Sequence, residues 1–421
     1  MEFTNSKRLV FNIILSCWLV YTISMCMKMV YSASMVAIKD EYNVSHFIAS
    51  LPITLYYAFY AVIQLFLAVI MRKINMKLYM LITFTFSGLS FISVFFFSPV
   101  WFVCSVMAVN GLTLGAVWCG SLMVFSKYLT KKQMRNSLLL MGAGATVGNT
   151  VSYGISALAM SVGNWRWSFL IMGAAFLFAT AYMIFSIIKA EKNNLVPDES
   201  ADIAVNKKQV YTAKRYEAKP LIIMATIVSF LACILYYAFT NWMPTILKGL
   251  FNMENSEATV ITMIFPVAVF AGVYLSNYLS DKVKNDFLLT LVASIIVAVL
   301  SLVLCFVFNV GVAICVAVIV LLGIALRVIT SLNCSLVTLH TKDYFNSGAT
   351  GSIINSSACV AAGVSPVLIS LILDLSGGNW QTGFIVLFGA SIILTIVPFM
   401  FLLLNIRRKR KGAEDSDQSV Q

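Results

Sequence analysis

The chain has 421 residues, 60% of them hydrophobic and only 11% charged, with a mean hydropathy of +0.90. Soluble globular domains carry roughly a quarter charged residues, so this balance excludes a water-soluble fold and makes the lipid bilayer the solvent. The net charge of +12 has no polar domain to present it, and no nucleic-acid partner is expected.

A spanning helix needs about 20 apolar residues. In chain order such segments fall at 9–38, 46–71, 77–98, 100–127, 135–161, 165–189, 220–247, 256–280, 286–308, 310–339, 345–374 and 379–405. The sequence therefore predicts an all-α integral membrane protein with twelve transmembrane helices. The first segment follows Lys7-Arg8 as a signal peptide would. It is too long for one, lacks a small-residue cleavage site and carries Lys28, so it is expected to be retained. One hydrophilic stretch, 190–219, separates an N-terminal six-helix half (1–189) from a C-terminal half (220–406). A basic tail, 407–421, follows.

Ahead of the sixth segment stands Gly163-Asn164-Trp165-Arg166-Trp167-Ser168-Phe169. Ahead of the twelfth it returns as Gly378-Asn379-Trp380-Gln381-Thr382-Gly383-Phe384. The same element at the same place in both halves predicts two pseudo-symmetric units, an arrangement that transporters use widely. Its chemistry suits a short interfacial turn. Gly reverses the backbone, Asn caps the next helix, and Trp is expected at headgroup depth.

With a cytoplasmic N-terminus, 24 of the 29 Lys and Arg residues fall on the inner side and only Lys39, Arg166 and Lys248 on the outer side. This bias places both termini in the cytoplasm of a multi-pass protein of the cell (inner) membrane. Two cations remain, Lys28 in the first segment and Arg327 in the tenth. A charge near the bilayer centre costs about 2.5 to 3.5 kcal/mol on insertion scales, so it faces a wet cavity or a partner. No acidic residue occupies a mid-span position. Two cations in opposite halves then point to an anionic substrate as their counterion. The competing reading is interface anchoring, with Lys28 snorkelling outward over two to three turns and Arg327 inward. Glycines in the fifth segment (Gly142, Gly144, Gly148) read as close-packing positions.

Nine cysteines stand singly in apolar runs, and His46 and His340 are too few and too far apart for a ligand cluster. Neither a metal nor a cofactor is expected. A phosphate-cradling loop, a His-Glu-x-x-His motif and a Gly-x-Ser-x-Gly turn are all missing, so no enzyme activity is expected.

Twelve spans in two halves, the basic second and fourth loops, Asn110-Gly111 with Gly115, and the repeated Gly-Asn-Trp element together resemble the major facilitator superfamily over essentially the whole chain. That family's loop signature survives as Leu279-Ser280-Asp281-Lys282 after the eighth segment. In the first half it is degenerate, with Arg72-Lys73 where Asp-Arg would stand. The resemblance implies gating roles for Asp281, Lys282, Arg72 and Arg135. The seventh segment, Tyr236-Tyr237 through Asn241-Trp242-Met243-Pro244, is similar to that of the organophosphate:phosphate antiporter branch. Lys28 falls at that branch's substrate-binding arginine, with Tyr31, Tyr60 and Trp118 in matching positions. Tyr236, Gln64 and Ala145 replace three of its basic anchors.

The resemblance implies a central cavity walled by Lys28, Tyr31, Asn110, Trp118, Tyr236, Tyr237 and Arg327, with Tyr60 and Gln64 nearby. Lysine offers a point charge where arginine offers a fork, so a carboxylate or sugar acid fits better than a phosphate ester. Exchange or uniport is expected, since proton symport generally uses a mid-span acid or histidine. The expected partners are a small anion and the bilayer, with the protein acting as a monomer. The alternatives are an efflux pump for amphiphilic compounds and a ligand sensor that keeps the transporter fold.

Overall fold

The computed structural model describes residues 2–70, 75–193, 195, 215–283, 286–341 and 347–418. Apolar backbone in lipid must satisfy its own N–H and C=O groups, and helices do so within one segment. Among the described residues every regular element is a helix. They are α1 (Glu2–Tyr42), α2 (His46–Ile70), α3 (Met76–Phe96), α4 (Val100–Leu114), α5 (Val117–Tyr128), α6 (Lys131–Ser161) and α7 (Arg166–Lys192), then α8 (Arg215–Phe251), α9 (Asn255–Thr262), α10 (Ile264–Val283), α11 (Asp286–Val307), α12 (Val312–Thr341), α13 (Ser347–Leu375) and α14 (Trp380–Gln418). The end of α1 at Tyr42 is termed distal, and its N-terminal end proximal.

Fourteen helices correspond to twelve expected spans because two spans are broken. The pair α4 and α5 forms one span, Val100–Tyr128, and α9 with α10 another, Asn255–Val283. At the first break a side-chain amide of α2 repairs the backbone: Gln64 Nε2 donates to the Gly115 carbonyl at 2.9 Å. At the second, Pro266 lacks an N–H and its ring crowds the carbonyl four residues back, at Thr262, where α9 ends.

Eleven segments are long and apolar enough to cross a membrane among the described residues. The exception is α6, which at 31 residues has ample length. Its run of Gly, Ser, Thr and Asn lowers its hydropathy, and it packs along α1. A Cβ on Gly144 would lie 2.6 Å from Thr22 Oγ1, and one on Gly148 2.4 Å from the Thr22 carbonyl. Both are close-packing positions as expected, whereas Gly142 has nothing within 4 Å and is not.

Two compact units emerge. The first comprises Met1–Gln209, Thr240–Val267 and Pro366–Asp374; the second comprises Val210–Phe239, Ala268–Ser365 and Leu375–Gln421. The first unit thus takes in the distal ends of α8 and α13, all of α9 and the start of α10, along with the N-terminal helices. Within it α1 packs on α6 and α7, α2 on α4, and α3 on α7. Within the second, α11 packs on α12 and α14. The linker expected at 190–219 lies mostly outside the described residues.

Both copies of the repeated heptapeptide build the same turn. Gly163 and Gly378 adopt positive φ, 78° and 83°. Asn164 Oδ1 accepts from the Arg166 amide at 3.0 Å and Asn379 Oδ1 from the Gln381 amide at 2.9 Å. Trp165 pairs with Phe169 and Trp380 with Phe384, at centroid distances of 5.6 and 6.3 Å. Both tryptophans pack inward. They are buried rather than spread at the surface, 3% and 7% exposed, because each folds back onto the phenylalanine one turn into its own helix.

A Cβ at Gly111 would meet the Tyr56 carbonyl oxygen at 2.2 Å, a backbone atom that cannot yield without moving α2. Gly111→Ala is therefore expected to destabilise the protein by about 1–3 kcal/mol, while Gly142→Ala leaves it unchanged or slightly stabilised. Thermal unfolding of the two variants in detergent checks the contrast.

Candidate functional site

Lys28 sits far from either end of α1, separated from its distal end by fourteen residues, roughly 21 Å at 1.5 Å per residue. Its ammonium lies over the Tyr57 ring, 5.4 Å from the centroid, where the ring's negative face attracts a cation. Nearby in the same unit, Tyr21 of α1 meets Trp118 of α5 at 5.3 Å, and Tyr60 stacks on Tyr56 at 6.0 Å. Lys28, Tyr60 and Trp118 are partly exposed.

Two residues expected in the cavity wall belong to the packing instead. Tyr31 is fully buried and donates to the Ala49 carbonyl at 2.8 Å, tying α1 to α2. Asn110 is likewise fully buried. Its Oδ1 accepts from Ser87 at 2.5 Å, and its Nδ2 donates to Ser90 Oγ at 3.0 Å and to the Val106 carbonyl at 2.8 Å. An amide so fully committed to α3 and α4 has no group to offer a ligand. Gln64 is similarly engaged in repairing the break at Gly115.

In the second unit, Arg327 is exposed in the middle of the apolar span Val312–Asn333. A Cβ on Gly272 would lie 3.0 Å from Arg327 Cβ, so the glycine of α10 makes room for the arginine stem. Tyr237 packs edge-on to Tyr236 at 5.3 Å.

The distal end of the first unit carries an ionic network that the sequence did not reveal. Arg166, inside the first heptapeptide copy, forks onto Glu41 with Nη2–Oε1 2.5 Å and Nη1–Oε2 3.3 Å, and its Nε reaches Ser98 Oγ at 2.6 Å. Trp165 Nε1 adds a bond to Glu41 at 2.6 Å. Lys248 of α8 pairs with Asp40 of α1, and Asn255 of α9 reaches the same carboxylate at 3.3 Å. Asp374 of α13 caps the start of α2, accepting from the His46 and Phe47 amides at 3.1 and 2.9 Å and from His46 Nδ1 at 2.8 Å. Ser50 and Ser370 meet one turn deeper at 3.1 Å. Deeper still, Ser32 Oγ donates to Asn241 Oδ1 at 2.8 Å, and Tyr153 donates to the Thr240 carbonyl. These contacts bind the distal ends of α8, α9 and α13 to α1, α2 and α6.

At the proximal end Glu191 accepts from Lys77 at 2.6 Å and Lys127 at 3.2 Å. This cluster assembles from the ends of α3, α5 and α7, and sequence spacing offered no signal for it because Glu191 borders the hydrophilic linker. Of the expected gating residues, Arg72 lies outside the described residues. Arg135, Asp281 and Lys282 are exposed, and Lys282 sits over the Tyr278 ring at 4.6 Å.

A model of the Major Facilitator Superfamily matches residues 17–344. The chain belongs to this superfamily. It is 24% identical over 295 residues to the cis,cis-muconate transport protein of Acinetobacter baylyi, covering 69% of this chain and 70% of that protein. Its fold is similar to that of a bacterial homologue of the human lysosomal transporter Spinster in an inward-facing, unoccupied conformation, with TM-score 0.77 at 12% identity over 93% of this chain and 96% of the other. The nucleoside transporter NupG matches with TM-score 0.68 at 11% identity, over 92% and 99% of the two chains. Membership in a transporter superfamily agrees with the paired turns and with charges gathered at helix ends.

The Asp374 and Lys248 clusters differ in kind. Asp374 serves as a helix cap, so Asp374→Ala is expected to cost about 0.5–2 kcal/mol. Lys248→Ala removes a partly exposed ion pair and is expected to cost at most about 1 kcal/mol. Unfolding temperatures of the two variants, measured side by side, check this order.

Proposed function

We propose that this superfamily member is a secondary transporter that moves a small organic anion, a carboxylate or sugar acid, by alternating access as an exchanger or uniporter. The observation that carries the reading is a distribution of charge. Lys28 and Arg327 stand within spans, whereas every carboxylate whose side chain is described lies at or near a helix end: Asp40, Glu41, Glu191, Glu254, Glu257, Asp281 and Asp374. A carrier with cations in its spans and carboxylates at its rims suits an anion that enters and leaves. The muconate carrier among its relatives handles an organic anion, which favours the same substrate class.

The likeness of the Asn241-Trp242-Met243-Pro244 run to organophosphate:phosphate antiporters supports an anion carrier. The absence of basic side chains at Tyr236, Gln64 and Ala145 favours a carboxylate over a phosphate ester. Asp374, the acid at the end of the eleventh span, is engaged as a cap on α2, which favours exchange or uniport. In the alternate state the distal bonds of Lys248, Asp374 and Asn241 would have to part. Their modest individual strength suits that cycle.

The test is uptake and counterflow of labelled cis,cis-muconate in proteoliposomes. Lys28→Ala is expected to lower affinity roughly ten- to hundredfold, the worth of one hydrogen bond to a charged group, with expression unchanged. Lys28→Arg should retain partial activity, and Arg327→Ala should lose it. Unchanged affinity in both alanine variants would refute the anion reading in favour of efflux of amphiphiles. Binding without counterflow would instead mark a sensor.

A further inference from the structure

The seventh span contributes a buried amide that no packing contact uses up. Asn241 and Ser32 are 0% and 1% exposed, and Ser32 Oγ donates to Asn241 Oδ1 at 2.8 Å. That bond sets the Oδ1 edge of the amide against the serine hydroxyl. The other edge, Nδ2, has no hydrogen-bond partner. Because Oδ1 and Nδ2 share one carbon, the uncommitted donor stays beside the surface of α1 on which Ser32 stands.

Ser32 is four residues after Lys28, so the two project from the same face of α1, one turn or about 6 Å apart along the axis. On either side of Asn241 the backbone is held. The Thr240 carbonyl accepts from Tyr153, and the fully buried Trp242 packs against the His46 ring at 6.0 Å. The amide is thus a fixed donor one turn from a cation. Leaving a buried N–H unpaired is unfavourable, and such groups in native proteins call for a specific explanation.

We propose that Asn241 is a specificity-determining residue of the anion site, donating its Nδ2–H to the substrate carboxylate that Lys28 attracts, with Ser32 as the positioning residue that orients the amide. The inference rests on the anion-carrier reading above. It adds direction to that reading: a lysine attracts any anion from any angle, whereas a fixed amide donor selects an acceptor oxygen at one place. A carboxylate presents two such oxygens and can accept from both groups together. An amphiphilic cation offers neither.

The experiment uses full-length purified protein, with cis,cis-muconate as the probe. Its dissociation constant and its stabilisation of the protein against heat are measured for wild type, Asn241→Leu, Asn241→Asp, Ser32→Ala, Ser32→Thr and Lys28→Ala. Asn241→Leu is expected to weaken binding roughly ten- to hundredfold. Its unliganded unfolding temperature should stay close to that of wild type, because the unsatisfied donor is removed together with the acceptor of Ser32. Asn241→Asp should weaken binding further through repulsion. Ser32→Ala should raise the KM for uptake with little change in maximal rate, and Ser32→Thr should restore it. A dissociation constant within twofold of wild type in Asn241→Leu overturns the assignment and leaves Asn241 as a packing residue. Loss of binding in Lys28→Ala alone confines that failure to Asn241. Unchanged binding in Lys28→Ala, or no response of wild type to muconate, shows instead that the carboxylate reading itself is wrong.

Discussion

A charge cannot be left in hydrocarbon without water or a partner, and most of the structure follows from that constraint. The described carboxylates all sit near helix ends, and each of the distal cations Arg166 and Lys248 meets an acid there. The proximal end repeats the solution with Lys77, Lys127 and Glu191. Among the described side chains, Lys28 and Arg327 carry their charge within a span, and each is handled locally. An aromatic face lies under Lys28, and a glycine on the neighbouring helix makes room for the stem of Arg327.

The same constraint governs backbone polar groups. Where a span breaks, the freed carbonyl must find a donor within the protein, and Gln64 supplies it at Gly115. Where a helix begins, its first amides need acceptors. Asn75 and Thr130 provide them from within their own segments, and Asp374 provides them to α2 from a helix more than three hundred residues away. That last cap joins distant parts of the chain through bonds that can be exchanged for water. A carrier needs contacts of this kind, firm enough to define a state and weak enough to leave it.

Much of the fold was legible in the sequence because its signals are local. A run of apolar residues reports a span wherever it occurs, and the recurrence of Gly-Asn-Trp reports the doubling because a positive-φ glycine followed by a capping asparagine makes the same turn in any context. The candidate site was less legible. Lys28 and Arg327 stood out because mid-span charges are rare. The family resemblance implies cavity positions for Tyr31, Asn110 and Gln64, and it carries no information on what each side chain meets in this fold. Their actual partners are a carbonyl of α2 for Tyr31, two serines of α3 and the Val106 carbonyl for Asn110, and the carbonyl freed between α4 and α5 for Gln64.

The sequence by itself determined the solvent, the number and order of spans, the doubling and the two cations, since each depends on composition or on spacing within one segment. Tertiary structure alone decided which polar groups are spent on packing and which remain to act. It satisfied Asn110 completely and Asn241 only in part, although both are asparagines in apolar helices. The physical reason is that hydrogen-bond satisfaction is a property of neighbours in space, and the neighbours of Asn241 lie on a helix some two hundred residues earlier in the chain.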